Sequence, residues 1–491
     1  MNAKIVYVPL DERPCNYRFP QMQFPTSAGV ELIRPPIEIL GSKKRPAAVD
    51  RVLEWLEAEL SHSDGAVLSL EMLIYGGLLP SRIHRTEHKL LAARVERVLG
   101  AIQRERSRRG FPVFVFGLIM RTPSYSNSEE EPDYYDRFGA QIFRTGFLDH
   151  KRRTTALSDQ ETAELHRLRD SVPAEILADY TQRRTANRGV LQAIVAALAS
   201  DAVDVLVLPQ DDTAEFGFGP SDREQIMTEV SDRGVAGSVL TYPGADEVGC
   251  TLTARMALRL ADAAPPQVKL VFREAEAAAR IPPYESVPLN QSVPLQVQVC
   301  GAECYREGTA TSPPDIVIFI NTSQAETDYE ARDQYARDQH TFVGRIEQQL
   351  GDRIHAPAVG LCDVAYANGG ETGLVEQLHR RRVWNRLASY AGWNTAGNTI
   401  GTCIARALLE HLWPDDRTRL ANLAYRLADD WAYQAIVRGR RQEPPQPAVA
   451  VKELNRELRR LADSGAPEVY AARFPWNRRF EIELEVKTAP R

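Results

Sequence analysis

Short apolar runs alternate with amphipathic helical patterns along most of the chain, and this alternation restricts the fold to an α/β architecture on a parallel sheet. The runs fall at 5–10, 66–70, 113–119, 205–208, 238–242, 268–272, 316–321 and 358–362. Most are apolar without interruption, the pattern of strands buried on both faces. Between them Val49, Val52, Leu53, Leu56 and Leu60 repeat at helical spacing. So do Leu91, Val95, Val98, Leu99 and Ile102, and Val190, Leu191, Ile194, Val195 and Leu198. Ser221 and Glu224 have capping-box spacing, which predicts a helix start just after Gly219-Pro220.

Eight runs predict a (β/α)8-like, TIM-type parallel barrel over residues 1–412; an open doubly wound parallel sheet is the alternative. Tyr390-Ala391-Gly392-Trp393-Asn394 complicates the count, because a ninth strand ending there leaves one of the eight peripheral or the sheet open. Residues 281–304 are rich in Pro and Val and read as an inserted loop or small hairpin. From 413 to 491 the alternation stops until 480–486, which predicts a C-terminal, mostly helical extension with one short strand.

Bulk properties exclude several function classes. With 43% hydrophobic and 26% charged residues the chain has the balance of an ordinary globular protein. A net charge of −6 gives no basic footprint for nucleic acid. The Arg-rich stretches 104–109 and 379–382 end helical patterns, where cations complement the helix dipole. No stretch nears the roughly 20 apolar residues that span a bilayer, and the first residues carry no secretory pattern. A cytoplasmic setting is therefore expected, with no membrane partner and with Cys15, Cys250, Cys300, Cys304, Cys362 and Cys403 as free thiols. Cys300 and Cys304 lack the second pair that a zinc site needs.

The informative pattern is where polar residues fall. The first run ends in Asp11-Glu12-Arg13, the second in Glu71 to Tyr75 followed by Ser81-Arg82, and the third in Arg121 followed by Glu129-Glu130-Glu131. The fourth ends in Gln210-Asp211-Asp212, the fifth in Asp246-Glu247, and the eighth in Asp363 to Asn368. Carboxyl ends of parallel strands face one way, so six distant segments are expected to line one crevice. Carboxylates gathered so densely require cations, a metal or a polyhydroxylated ligand. Helix caps and loop ion pairs are the plainer explanation for any single cluster.

Asp211 and Asp212 are the strongest catalytic candidates, since two neighbouring carboxyls can hold different pKa values and divide the roles of acid and charged partner. Asp212 capping the next helix is compatible with that. Asp246 and Glu247 form a second pair, with Glu247 able to serve as base or nucleophile. Asp11, Glu12 and Arg13 are a third candidate, or an internal ion pair. Glu71, Tyr75, Arg121, Gln210, Asp363 and Asn368 complete the expected substrate-binding set. Trp393 is a candidate stacking floor for a sugar ring, with Asn394 and Asn398 bonding hydroxyl or acetamido groups; alternatively Trp393 is core and Asn398 a helix cap. No Gly-x-Ser-x-Gly, P-loop or Gly-x-Gly-x-x-Gly occurs. The acidic clusters contain no His, which argues against zinc and leaves Mg²⁺ or Mn²⁺ as the metals such carboxylates would hold.

These same segments, from Val8-Pro9-Leu10-Asp11-Glu12-Arg13-Pro14-Cys15-Asn16 to the Arg473-Phe474-Pro475-Trp476-Asn477-Arg478 ending, resemble the bacterial DUF4127 family over essentially the whole chain. The resemblance implies one shared site without naming its chemistry. An Asp-Asp pair after a strand with a Trp-Asn motif downstream is also similar to barrel glycosidases that use the substrate's 2-acetamido group as nucleophile. That likeness implies that Asp211 orients the acetamido group and Asp212 protonates the leaving oxygen. The expected function is hydrolysis of a carbohydrate, a small-molecule or oligosaccharide substrate, without a cofactor. A Mg²⁺- or Mn²⁺-dependent lyase, isomerase or hydrolase and a non-catalytic sugar-binding protein are the alternatives.

Overall fold

The strands close no barrel. In a computed structural model, which describes residues 2–308, 312–323, 330–331, 334–351, 356–440, 443–461 and 466–488, they fall into two separate parallel sheets. The first holds β1 (Ala3–Val8), β2 (Val30–Ile33), β3 (Gly65–Ser69), β4 (Val113–Phe116), β5 (Val205–Gln210) and β6 (Val239–Pro243), in the order β2-β1-β3-β4-β5-β6. The second holds β7 (Gln267–Phe272), β8 (Glu303–Cys304), β9 (Ile316–Thr322), β10 (Ala358–Val364) and β11 (Ser389–Ala391), in the order β11-β10-β9-β7-β8. The barrel expectation fails because β7 pairs with β8 and β9 and not with β6. The open, doubly wound alternative fits.

Both sheets share one plan. Each begins one strand in from an edge, sets its second strand on one side and its later strands on the other. The order therefore reverses between β1 and β3 and again between β7 and β9. Crevices open outside the carboxyl ends at such switch points.

Side chains along the central strands alternate between two hydrophobic clusters, as the two-residue period requires. Ile5 and Tyr7 of β1 enter one, Val6 and Val8 the other. The second cluster contains the predicted helical series Val52, Leu53 and Leu56, Val95 and Val98, and Leu191 and Ile194. On the opposite face, the helix Val248–Leu260 leaves β6, packs against β1 and β3, and meets the helix Ala396–Leu412, which covers β10 and β11. The two sheets are thus joined through a shared double layer of helices. Gly360 of β10 permits the close approach of the helix Ala396–Leu412, because a Cβ there would lie 3.2 Å from Cys403 Sγ, besides 2.7 Å from Ile318 Cδ1 and Ser389 Oγ on the neighbouring strands.

Three local expectations change. Residues 281–304 contain the helix Leu289–Val299 and not a hairpin. Leu289, Val293, Gln296 and Val297 share its buried face, and this spacing overrides the alternation that reads as a strand. The helix predicted from Ser221 begins instead at Phe218, with Gly217 as its cap. The C-terminal segment carries two strands, β12 (Glu468–Arg473) and β13 (Glu483–Lys487), paired antiparallel. Its Leu423, Trp431, Leu454 and Leu484 join the same core as the second sheet. Among the described residues no helix is long and apolar enough to cross a membrane, and none of the six cysteines is bridged.

Candidate active site

A cleft of about 560 Å³ opens where β4, β5 and β6 end. Its facing walls come from the start of the helix Ala396–Leu412 and from residues 477–480. Of the residues expected from sequence, Arg13, Arg121, Gln210, Asp211, Asp212, Asp246, Asn368, Asn394 and Asn398 line it. Segments up to 385 residues apart in sequence, from Arg13 to Asn398, therefore share one mouth.

One continuous network of alternating charge forms the floor. Arg121 reaches Asp212 at 2.6 Å, and Glu130 and Glu131 at 2.8 Å each. Arg82 contacts Glu130 at 3.0 Å and pairs closely with Asp211. Arg478 joins Glu130 to Glu481, and Arg13 carries the chain on from Glu481 at 3.1 Å to Asp246 at 2.6 Å and Asp11 at 2.8 Å. Four guanidiniums thus face seven carboxyls. Burial without enough positive charge favours the neutral acid.

The carboxyls divide accordingly. Burial pushes Glu130 upward, but Arg121, Arg82 and Arg478 outweigh it and hold the group well below the usual carboxylate range. For Asp212 burial outweighs the guanidinium of Arg121, Asp211 adds repulsion, and the group is pushed up to about 6. Burial also raises Asp246, against the opposing charge of Arg13.

The backbone is held in an unusual conformation around this space. Asp212, Tyr284, Asn368, Asn394 and Asn477 all line the cleft at φ of 39°, 68°, 61°, 72° and 52°. Left-handed residues other than glycine are uncommon, and each strained one costs about 1–3 kcal/mol. Half of the ten such residues among those described surround this one cleft. That concentration is the signature of a site whose side-chain directions are fixed by the fold.

The family model for DUF4127, a protein of unknown function, matches residues 5–485. The chain belongs to the DUF4127 family. No curated protein and no solved structure matches it. The matched span contains every member of the charge network, from Asp11 to Glu481, so in this DUF4127 protein the cleft is built by both ends of the family unit.

The remaining expected residues lie elsewhere. Asp11 sits behind Arg13, also accepting from Asn16 Nδ2 at 2.9 Å. Glu12 accepts from Trp476 Nε1 at 2.6 Å and from Lys43 N at 3.0 Å, tying the C-terminal segment to the first strand's end. Glu71 is buried between strands, accepting from Leu118 N at 2.7 Å and Ser69 Oγ at 3.2 Å, and burial pushes it up to about 7. Tyr75 is buried against His84, ring centroids 4.8 Å apart. Glu247 is fully buried, accepts from Ala245 N at 2.9 Å and Gln296 Nε2 at 3.3 Å, and is pushed up to about 7 by burial. Trp393 is core, packed on Phe480 at 5.7 Å, and Phe480 is the ring that reaches the cleft. Asp363 lies at the edge of the second sheet, because the six predicted clusters divide between two sheets.

Several wall residues were not among the expected set. Arg82, Glu130 and Arg478 had a visible signal, the acidic run 129–131 and the Arg-rich ending, without a way to pair them from sequence. Tyr125 and Tyr284 add aromatic surface. Glu285 also lines the cleft, and it sits in the segment that reads as an insertion, where no motif marks it.

Proposed function

We propose that the cleft binds a carbohydrate and hydrolyses a glycosidic bond by carboxylate acid/base chemistry, with Asp212 handling the proton and Asp211 fixing its surroundings. The observation that carries this reading is the Asp211-Asp212 turn. It stands at the mouth of a polar cleft, on left-handed backbone, with one carboxyl raised to about 6 and each carboxyl held by its own arginine. Gln210, Asn127 and Asn368 supply amides suited to hydroxyl groups, and Tyr125, Tyr284 and Phe480 supply ring faces on which a sugar packs. Asn394 and Asn398 have a supporting part: Asn394 Nδ2 donates to Asp246 Oδ2 at 3.0 Å, and Asn398 Oδ1 accepts from Asp246 N at 2.9 Å. The Nδ2 group of Asn398 is left to meet an acetamido or hydroxyl oxygen.

The Mg²⁺ or Mn²⁺ alternative fits the donor set less well. Asp211, Asp212 and Asp246 are each engaged by a guanidinium, which a hard cation would have to displace.

The test is hydrolysis of a panel of nitrophenyl glycosides by the wild type and Asp212→Asn. A glycoside cleaved by the wild type and lost by about 10²–10⁴-fold in the variant supports the assignment. Full activity of Asp212→Asn on that glycoside contradicts it.

A further inference from the structure

Six arginines line the cleft, and four of them, Arg13, Arg82, Arg121 and Arg478, are each in contact with carboxyls. Arg438 is not. It follows the π-helical segment Leu427–Val437, is half-buried, and forms no ion pair among the described residues. Its Nη1 donates to Gln434 Oε1 at 3.3 Å. Gln434 is itself oriented, since its Nε2 donates to Asp429 Oδ1 and to Phe480 O, each at 3.2 Å. The guanidinium carbon of Arg438 lies 4.8 Å from the centre of the Phe480 ring, which Arg478 approaches to 5.2 Å. Arg438 is therefore held against the wall formed by residues 477–480. There it stands beside the end of the charge network that runs from Arg478 through Glu130 and Arg121 to Asp212.

What remains is the edge that carries Nε and Nη2. Neither nitrogen has an acceptor among the described residues, and neither is sealed from solvent, so this edge opens on the cleft. The carboxyls that act on Arg438 from a distance are engaged elsewhere. Glu330 accepts from Tyr284 Oη and Asn368 Nδ2 at 3.1 Å each, and Glu481 is held by Arg13 and Arg478. Arg479 brings a second positive charge, its Nη1 donating to Arg438 O at 3.1 Å. Burial outweighs Glu330 and lowers the pKa of Arg438, whereas the four paired arginines are all raised. That is the mark of a cation short of its counter-charge. A cation after the last turn of a helix complements the dipole, which accounts for a positive charge at 438 but not for an open edge in a cleft wall. The Nε–Nη2 edge offers two parallel N–H groups, a fork that fits two oxygens of one anion. One such guanidinium, in a wall rich in carboxylates, matches a single negative charge.

We propose that Arg438 selects an acidic sugar, its Nε–Nη2 edge holding a singly charged oxyanion of the substrate, a carboxylate or a sulfate ester. The assignment deepens the carbohydrate reading and rests on it. No bond forms or breaks at Arg438. It fixes where the sugar sits in the cleft that Asp211 and Asp212 share, and it sets the substrate class.

The experiment uses the full chain as wild type, Arg438→Lys and Arg438→Gln, with nitrophenyl glycosides in matched sets of neutral hexoside, uronide and hexoside 6-sulfate. In the wild type, kcat/KM for one of the charged pair is expected to exceed that for the neutral hexoside by about 10–100-fold. Arg438→Gln should erase that ratio, and Arg438→Lys, which keeps the charge without the fork, should retain only part of it. Preference for the uronide identifies a carboxylate, and preference for the 6-sulfate a sulfate ester. A wild type that favours the neutral hexoside, or a ratio that survives Arg438→Gln, overturns the assignment. Because the ratio is taken within each protein, a general loss of activity does not imitate the effect. The ¹⁵Nε resonance of Arg438, identified by its absence from Arg438→Lys, supplies an arm that needs no turnover. It should shift on titration of the wild type with glucuronate, galacturonate or glucose 6-sulfate and stay in place with glucose. No shift, or an equal shift with inorganic sulfate alone, overturns the proposal. If no glycoside is cleaved, the hydrolytic reading falls by itself while this arm still decides the oxyanion site.

Discussion

At the carboxyl edge of the first sheet the strands open on a cleft, whereas at the same edge of the second they end against the chain's own side chains. The strand orders are equivalent, and both edges are rich in buried acids and arginines. In the second, Asn321 at the end of β9 donates to Asp363 Oδ1 at 2.7 Å and to Glu371 Oε2 at 2.8 Å. Arg337 donates to Glu371 Oε1 at 2.9 Å, Arg273 to Gln339 Oε1 at 2.7 Å, and Tyr390 to Asp363 Oδ2 at 3.0 Å. The comparison separates two things that strand order alone merges. A switch point supplies a crevice, and what fills it decides whether the acids there hold the fold or face a ligand.

The contrast breaks most readily through variants that hit one edge and spare the other. Asp212→Asn has the largest effect, an activity loss of about 10²–10⁴-fold with little change in the urea unfolding midpoint. With Asp212 as the acid that protonates the leaving oxygen and its carboxyl held at about 6, wild-type activity should fall as pH rises through 6.

Arg337→Ala does the reverse. It takes the closest cation from buried Glu371 and should cost about 3 kcal/mol in urea unfolding, the order seen when a buried ion pair loses one partner, with glycoside cleavage unchanged. A comparable loss of cleavage would show that the two edges are coupled.

A subtler contrast lies in pH. Burial, with Glu371 adding repulsion, pushes Asp363 up to about 6, above the roughly 3.9 of an unfolded aspartate. Its contribution is full below the unfolded value and is lost as pH rises through the folded one. The stability of wild type relative to Asp363→Asn should therefore fall by up to about 3 kcal/mol between pH 4 and 7. A flat difference would remove the buried, proton-holding role given to Asp363.

Much of the first sheet was legible because buried parallel strands carry continuous apolar runs. β2 was not, since Val-Glu-Leu-Ile is a short, partly exposed edge strand without such a run. The barrel count failed for a different reason. Periodicity identifies strands but not partners, and the run at 268–272 pairs with 316–321, across an intervening helix, instead of with 238–242. At the site, Asp211, Asp212, Asp246 and Asn368 announce themselves at strand ends. Glu247 and Trp393 misled because neighbouring residues in a turn point opposite ways: Asp246 faces the cleft while Glu247 faces the interior. Glu285, Arg478 and Glu481 reach the site from loops placed by tertiary packing, which leaves no periodic trace.

The most direct measurement is a crystal of Asp212→Asn soaked with a glycan that the wild type cleaves. Sugar density in the cleft between Asp211, Asp212 and Asn368, with the scissile oxygen within hydrogen-bonding reach of residue 212, is the predicted result. Density at the edge of the second sheet, or at any site away from the Asp211-Asp212 turn, would contradict it.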